Sequence, residues 1–289
     1  LDHGQVQMEG PASEVVAAYT DSLRAESSEG RGSLHAPNSN AALIAAPLAS
    51  GLADADASLD PTESSKAEAS AAGALATSGI TRILAIRHGE TAWNVDTRIQ
   101  GQIDIPLNDH GRWQAQQLAK ALADEDIDAI YASDLSRAFD TAQAVASTKK
   151  IPIQARLQLR ERHFGDFQGH TWKDIQHQWP EEAEQWRVRH PEWTPQGGGE
   201  SLIMLNARIA ALIHELASPH AGQQVLWVTH GGVLDILYRM ATRQTLQAAR
   251  TWGLRNTAIN RLLWTPEGLQ IVGWADEAHL EAAKDESSA

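Results

Sequence analysis

Two histidines of this 289-residue chain stand in the same local setting. His88 follows the apolar run Ile83-Leu84-Ala85-Ile86 and then Arg87, and Gly89-Glu90 comes after it. His230 follows Val225-Leu226-Trp227-Val228-Thr229 and precedes Gly231-Gly232. A short apolar run of this kind reads as a buried strand, and open α/β sheets bind ligands beyond the carboxyl ends of their strands. The same strand-end pattern, written twice about 140 residues apart, can bring two imidazoles to one sheet edge. Imidazole is nucleophilic near neutral pH without a thiolate or a metal. Arg87 adds a fixed positive charge for a phosphate, and Gly89, lacking Cβ, would let the backbone come close to one. The chemistry these residue types suit is phosphoryl transfer through histidine. It needs a neutral imidazole, positive groups around the transferred oxygens, a proton donor for the leaving oxygen and a site that positions the substrate.

Further segments, in chain order, supply candidates for each part. Arg87-His88-Gly89-Glu90-Thr91-Ala92-Trp93-Asn94 resembles the signature of the histidine phosphatase superfamily, which includes the cofactor-dependent phosphoglycerate mutases. Arg98-Ile99-Gln100-Gly101, continuing to Asp104 and Pro106-Leu107, resembles that family's substrate loop. Ser133-Asp134-Leu135-Ser136-Arg137-Ala138 resembles its Ser-x-x-x-Arg-Ala pattern, and Leu159-Arg160-Glu161 through Gly165 and Gly169 its acidic motif. The resemblance implies that His88 is the nucleophile, that Arg87, Arg137 and His230 hold the phosphate oxygens, and that Glu161 is the proton donor. It also implies that Asn94 contacts phosphate, with Gln100 and Gly101 as further substrate-binding residues. Glu90 and Asp166 compete for the acid role; Glu90 is expected to be a structural partner and Asp166 a capping or loop residue. Arg98 and Asp104 are expected to hold the substrate loop by a salt bridge.

The segment from 162 to 200 separates branches of the family. Mutases carry a longer stretch there, with adjacent arginines and a lysine for the second acidic group of their substrate. Here sixty-nine positions separate Glu161 from His230, and Val188 interrupts the pair Arg187 and Arg189. Pro195-Gln196-Gly197-Gly198-Gly199-Glu200-Ser201 resembles the phosphatase branch, in which Gly-Gly-Glu-Ser opens a helix; Ser201 or Glu200 is expected to cap it. Trp172, Trp179, Trp186 and Trp193 read as the walls of a lid or pocket, although packing on a helix face is the commoner use of tryptophan. His163, His170 and His177 could share a helix face only if a helix ran through Gly165 and Gly169, so no metal site and no cofactor are expected.

These residues need elements to carry them. Strands are expected at 82–87, 127–132, 151–154, 224–229, 259–264 and 269–274. Helices are expected at 109–123, 134–147, 171–189 with a break near Pro180, 201–217 and 232–241. Ser133 or Asp134 can cap the second of these, which sets Arg137 in its first turn. Alternation of strands and helices predicts a three-layer α/β/α sandwich around a mostly parallel sheet, the fold the resemblance also implies. The last two strands read as a hairpin turned at Pro266-Glu267-Gly268.

Composition bounds the rest. All ten tryptophans lie at or beyond Trp93. Residues 1–79 carry three basic and eleven acidic side chains, −8 of the chain's net −13, which leaves −5 for the remainder. That balance argues against a nucleic-acid partner, since phosphate backbones need basic patches. There is no cysteine, which removes disulfides and thiolate catalysis and is compatible with a cytoplasmic enzyme. No apolar run reaches the length of a membrane span. Residues 24–79 contain no aromatic side chain and read as a disordered linker with transient helix around 63–76. Residues 1–23 read as a hairpin followed by a capped helix and resemble the tail of an ABC-transporter ATPase domain, but no phosphate loop of the Gly-x-x-x-x-Gly-Lys type accompanies them.

The expectation is thus a catalytic domain at 80–280, with a short tail at 281–289. It acts as a metal-independent phosphomonoester hydrolase on a small phosphorylated metabolite through a phosphohistidine. A phosphoglycerate mutase and a non-catalytic phospho-ligand-binding module are the alternatives. A homodimer is compatible with the sequence, which does not display an interface.

Overall fold

The computed structural model describes residues 79–281, all within one unit of the chain, Thr77–Ala289. The expected hairpin-helix at 1–23, the linker at 24–79 save its last residue, and the tail at 281–289 save its first lie outside the described residues.

Six strands form one sheet in the order β3-β2-β4-β1-β5-β6. β1 (Thr81–Arg87), β2 (Ala129–Ala132), β3 (Ile153–Ala155) and β4 (Gln224–Thr229) run parallel to one another. β5 (Ile259–Thr265) and β6 (Gly268–Asp276) add an antiparallel edge. The six expected strands are therefore present, the sheet is mostly parallel, and the final hairpin turns where expected.

The parallel strands are apolar on both faces because helices cover both. Alternate residues point to opposite sides. Ile83, Ala85, Val225 and Trp227 pack with Leu205, Ile209 and Leu212 of α6 (Leu202–Ala217) and with Val233 and Leu237 of α7 (Gly231–Thr242). On the other face Leu84, Ile86, Leu226 and Val228 pack with Leu118 of α2 (Asp109–Ala121) and with Ala138, Ala142 and Val145 of α3 (Ser136–Lys149). A one-turn α1 (Ala92–Val95) was not foreseen; a capping box between Thr91 and Asn94 closes it. The expected helix 171–189 is two pieces, α4 (Trp172–Gln178) and α5 (Pro180–Arg187), divided at Trp179 where Pro180 cannot continue α4.

One expected cap is corrected. Leu135, not Ser133 or Asp134, is the N-cap of α3, and it makes no side-chain cap bond. Ser133 instead accepts from the Leu135 N–H at 3.3 Å, and Asp134 pairs with Arg160. Arg137 still falls in the first turn, since the helix begins at Ser136.

Candidate active site

β1 and β4 are neighbours, and their register aligns Arg87 with Thr229. The residues that follow each strand, His88 and His230, therefore emerge side by side. Their rings lie 5.2 Å apart, centroid to centroid, and tilted by 56°. The His88 N–H donates to the Thr229 carbonyl at 2.9 Å, which carries the pairing one residue beyond the sheet. Asn256, in the loop before β5, donates to the His88 carbonyl at 2.8 Å. The backbone of the histidine is thus pinned from both neighbouring strands.

The His88 side chain is oriented by its own loop. Its Nδ1 lies 2.7 Å from the Gly89 carbonyl, which as an acceptor requires Nδ1 to carry the proton. That tautomer leaves the lone pair on Nε2. Burial, reinforced by the charges of Arg87 and Arg137, holds the His88 pKa well below its ordinary 6.5, and the Gly89 bond only partly opposes this. Burial likewise holds His230 well below 6.5, together with the charges of Arg137, His88 and Arg87. Both rings are neutral near pH 7, and one has its lone pair exposed to attack chemistry. Neither ring nitrogen of the fully buried His230 has a hydrogen-bond partner among the described residues.

Two arginines bracket the pair. Arg137 is fully buried and donates to the carbonyls of Gly101 at 2.7 Å and Ile103 at 2.9 Å, with Nε left without a partner. Burial pushes its pKa down to about 10, so it stays charged. Arg87 donates from Nη1 to the Leu254 carbonyl, and its buried Nε is also unpartnered. Among the described residues, neither guanidinium is spent on a carboxylate within hydrogen-bond distance. Each is a cation with a free donor, which suits binding of an anion.

Glu161 lies near Arg87: a Cβ on Gly231 would be 3.7 Å from Arg87 Nε and 3.8 Å from Glu161 Oε2. The Gly232 N–H in the first turn of α7 donates to both of its oxygens at 3.0 Å, and the Arg162 N–H donates to Oε1 at 2.7 Å. Its backbone carbonyl accepts from Gln102 at 3.0 Å. The strap that bears Glu161 is clamped by Arg208. That guanidinium binds both Glu200 oxygens at 2.8 Å and also the carbonyls of Gln158 and Arg160. Ser201 caps α6 through its hydroxyl, as the motif suggested, whereas Glu200 serves the clamp.

These residues line a cavity of about 790 Å³. His88, Arg87, Arg137, Glu161, Asn94, Gln100 and Gly101 all line it; His230, its ring 5.2 Å from that of His88, does not. Asn94 is partly committed, since its Oδ1 accepts from the Thr91 N–H at 3.1 Å. Gly101 serves through its carbonyl on Arg137, and Gln100 is buried with an unpartnered Oε1. Glu90 is indeed a structural partner: its carboxylate accepts from Asn108 at 2.8 Å.

Two expectations are corrected. Arg98 does not pair with Asp104. It donates to the Gly169 carbonyl at 2.8 Å, while Asp104 accepts from the Ser136 N–H and hydroxyl, both at 2.8 Å, and so tethers the loop to α3. The Gly89 N–H donates to the Thr141 hydroxyl at 2.9 Å. A Cβ there would lie 2.5 Å from the Gly111 carbonyl, and one on Gly111 would lie 2.0 Å from the Glu90 carbonyl. The glycines let α2 approach the histidine loop. Of the four tryptophans in the lid segment only Trp186 reaches the cavity; Trp179, Trp186 and Trp193 gather around Phe167, and Trp172 meets Trp186 edge-on.

Sequence reasoning missed Thr141, Gln102, Arg208, Asn256, Arg162 and Asp235. The first four hold backbone rather than ligand, and a residue serving a carbonyl carries no motif of its own. Arg162 stood inside the acidic motif and Asp235 just after His230, where position could have flagged them.

The model of the histidine phosphatase superfamily (branch 1) matches residues 83–277. The chain is 38% identical over 202 residues to phosphoglycerate mutase-like protein 4 of Arabidopsis thaliana, covering 69% of this chain and 86% of that protein. It is 38% identical over 207 residues to the metal-independent phosphoserine phosphatase of the same plant, covering 71% and 85%. Among solved structures, Bacillus stearothermophilus YhfR superposes with a TM-score of 0.65 at 32% identity, over 69% of this chain and 99% of that one.

Proposed function

The chain belongs to the histidine phosphatase superfamily and is a phosphomonoester hydrolase of that type, and from this premise we propose that His88 is its nucleophile and Glu161 its general acid and base. One observation carries the reading. A neutral imidazole with a free Nε2 stands 5.2 Å, ring centre to ring centre, from a second neutral imidazole, with two unneutralised guanidiniums lining the same cavity and a carboxylate held by backbone N–H groups at the start of α7.

In the first step Nε2 of His88 attacks phosphorus in line and forms a P–N bond as the ester P–O bond breaks. The proton for the departing alcohol comes from Glu161. Arg87, Arg137 and His230 face the phosphoryl oxygens, where charge is greatest. A phosphate dianion beside His230 favours its protonated form, because an opposite charge at contact distance offsets part of the effect of burial. In the second step water attacks phosphorus, its proton returns to Glu161, the P–N bond breaks and inorganic phosphate leaves. Asn94, Gln100 and Gly101 shape the mouth through which the ester enters. The scheme draws on no metal and no cofactor.

We take the substrate to be a small phosphorylated metabolite. Among the relatives, the phosphoserine phosphatase acts, by its name, on such a molecule. The mutase reading is weaker, because Arg187 is turned away onto Glu184 at 2.6 Å and only Arg189 of that pair reaches the cavity. A purely binding module has no use for the carboxylate that α7 holds over the phosphate site. The composition supports a cytoplasmic enzyme without a nucleic-acid partner, and no helix among the described residues is long and apolar enough to cross a membrane. Residues 80–280 are taken as the catalytic domain and a homodimer as its assembly, which sedimentation tests.

The test is phosphate release from a panel of phosphomonoesters with EDTA present, run beside 3-phosphoglycerate isomerisation with and without 2,3-bisphosphoglycerate. Wild type should release phosphate, and an acid-labile phosphohistidine should form on quenching. His88→Ala should retain the fold and lose at least about 10³-fold in turnover. Wild-type-like turnover by that variant removes the assignment, and bisphosphoglycerate-dependent isomerisation with little phosphate released moves the chain to the mutase branch.

A further inference from the structure

Tyr238 and Arg239 lie three and four residues beyond Asp235, so the three share one face of α7. Asp235 and Arg239 are buried. The Asp235 Oδ2 accepts from Arg239 at 3.0 Å and from Arg189, just past the end of α5, at 2.7 Å. Both guanidiniums also donate to one stretch of backbone. Arg239 reaches the carbonyls of Thr245 and Ala248, and Arg189 that of Leu246 at 2.7 Å. Further along the same stretch, Trp252 stacks on Tyr238 with ring centroids 4.0 Å apart, and the Arg239 guanidinium lies 4.8 Å from the Trp252 centroid. Trp274 of β6 meets Tyr238 edge-on and donates to the Gly253 carbonyl at 2.9 Å.

The far end of this stretch holds the phosphate-facing group. The Leu254 carbonyl accepts from the Arg87 side chain, the Thr257 N–H donates to the Arg87 carbonyl at 3.0 Å, and Asn256 donates to the His88 carbonyl at 2.8 Å. Arg87 is therefore held at its side chain and its backbone, and His88 at its backbone, by one segment. Residues 244–257 contain no helix and no strand. With no ladder of backbone bonds of its own, the segment takes its position from the side chains that grip it. Thr257, at its end, has φ 56° and is fully buried. A β-branched residue rarely adopts that conformation, and it persists only where the surroundings over-determine it. Such a position is held from both ends.

We propose that residues 244–257 are a positioning strap for phosphoryl transfer and that Asp235 is the positioning residue that anchors it: α7 fixes one end of the strap through Asp235, Arg239 and Tyr238, and the other end fixes Arg87 and His88. The proposal rests on the phosphatase reading, which gives Arg87 and His88 to the phosphoryl group. Asp235 moves no proton and forms no bond to phosphorus; it acts through Arg189 and Arg239. A shift of about 1 Å in a reacting group costs on the order of 10²-fold in rate, so slackening the strap by a fraction of that is measurable. The strap gives a signature of its own. Its loss acts on the phosphoryl group, which every ester shares, whereas a residue that read the alcohol portion would produce losses that differ from ester to ester.

The test is the inhibition constant of orthovanadate, which mimics the transferred phosphoryl group and carries no alcohol portion, measured against hydrolysis of p-nitrophenyl phosphate. Only active molecules report it, so an unfolded fraction cancels. Asp235→Asn keeps the shape and removes the charge that holds both guanidiniums. It should raise the constant by about tenfold or more and lower kcat/KM by a similar factor for p-nitrophenyl phosphate and for alkyl phosphates alike. Tyr238→Ala removes the stack under Trp252 without changing a residue that lines the cavity; it should raise the constant by about threefold or more, and it decides the matter alone if Asp235→Asn does not fold. Arg87→Lys, which loses the bond to the strap directly, should also raise it. Combined with Asp235→Asn it should raise it by clearly less than the product of the two factors, because both act on one unit. Wild-type inhibition constants in both α7 variants, factors that multiply in the double variant, or a loss confined to particular esters overturns the strap and leaves the phosphatase standing. No phosphate release from any ester by wild type removes the phosphatase reading, and this proposal with it.

Discussion

Replacing Gly232 by alanine should disable general acid catalysis without touching a catalytic side chain. An ideal Cβ at position 232 would lie 2.2 Å from Glu161 Oε1 and 3.2 Å from its carboxyl carbon. Ordinary contact begins near 3.5 Å, so the carboxylate must retreat by more than an ångström. A displacement of about 1 Å from productive geometry costs on the order of 10²-fold in rate, within the 10²–10⁴-fold a general acid contributes. The loss should appear in kcat/KM for alkyl phosphates, whose leaving oxygen needs a proton. It should be small for p-nitrophenyl phosphate, whose leaving group departs as a stable anion. Stability should hold. Alanine exceeds glycine in a helix by up to about 1 kcal/mol, which offsets the weakened N–H bonds to Glu161 of about 1 kcal/mol each. Gly231→Ala is the internal control, because its Cβ would meet nothing closer than Arg87 Nε at 3.7 Å and Glu161 Oε2 at 3.8 Å; its kinetics should stay within about threefold of wild type. Full turnover of alkyl esters by Gly232→Ala, or an equal loss on both ester types with a normal melting temperature, would refute the position and role assigned to Glu161.

Three other perturbations follow from the geometry. Arg137→Lys removes the forked bonds to the Gly101 and Ile103 carbonyls; phosphatase kinetics should show a fall of about 10²-fold in kcat/KM, and retained activity would show that a point charge suffices. Arg208→Ala releases Glu200 and the strap before Glu161, and should lower stability by about 1.5–3 kcal/mol in a denaturant melt, the usual cost of losing hydrogen bonds to a charged group, with kcat reduced as well. His88 and His230 are held well below 6.5 in the fold, mainly by burial. Their contribution to stability is complete above about pH 6.5 and is lost as pH falls below it, at about 1.4 kcal/mol per pH unit for each. The melting temperature of wild type should therefore drop more steeply on acidification than that of His230→Asn, and parallel slopes would refute the neutral-pair assignment.

Much of the fold was legible because the strands that matter are short, apolar and bounded by His-Gly. Ile83–Ile86 and Val225–Val228 are buried on both sides, and such runs declare themselves without an alternating pattern. The position of Arg137 was readable even though the cap was not, since a one-residue error in the cap leaves the first turn in place. The Arg98–Asp104 pairing failed for a physical reason. Opposite charges six residues apart in a loop can pair locally, but a helix N-terminus offers Asp104 two donors, from the Ser136 backbone and hydroxyl, and that favours a carboxylate more than one exposed guanidinium does. The second layer of the site was illegible. Thr141, Asn256 and Gln102 act on carbonyls or amides brought near only by the closed sheet, from positions between 52 and 168 residues distant.

The glycines of the histidine loop and of α7 show how the same residue type serves opposite ends of one reaction. At Gly89 and Gly111 the missing Cβ lets two backbones approach, and the His88 loop is fixed by α2 and by the Thr141 hydroxyl. At Gly232 it admits a carboxylate to the first helical N–H groups. A helix N-terminus ordinarily attracts an anion, so α7 would compete with Arg87 and Arg137 for the substrate phosphate. Glu161 occupies that N–H and removes the competition. On the proposed mechanism the phosphate is left to the guanidiniums and the paired imidazoles, and the acid to its leaving oxygen. Fixing the acid with backbone donors, rather than with one of the arginines, keeps both cations free for the charge that moves.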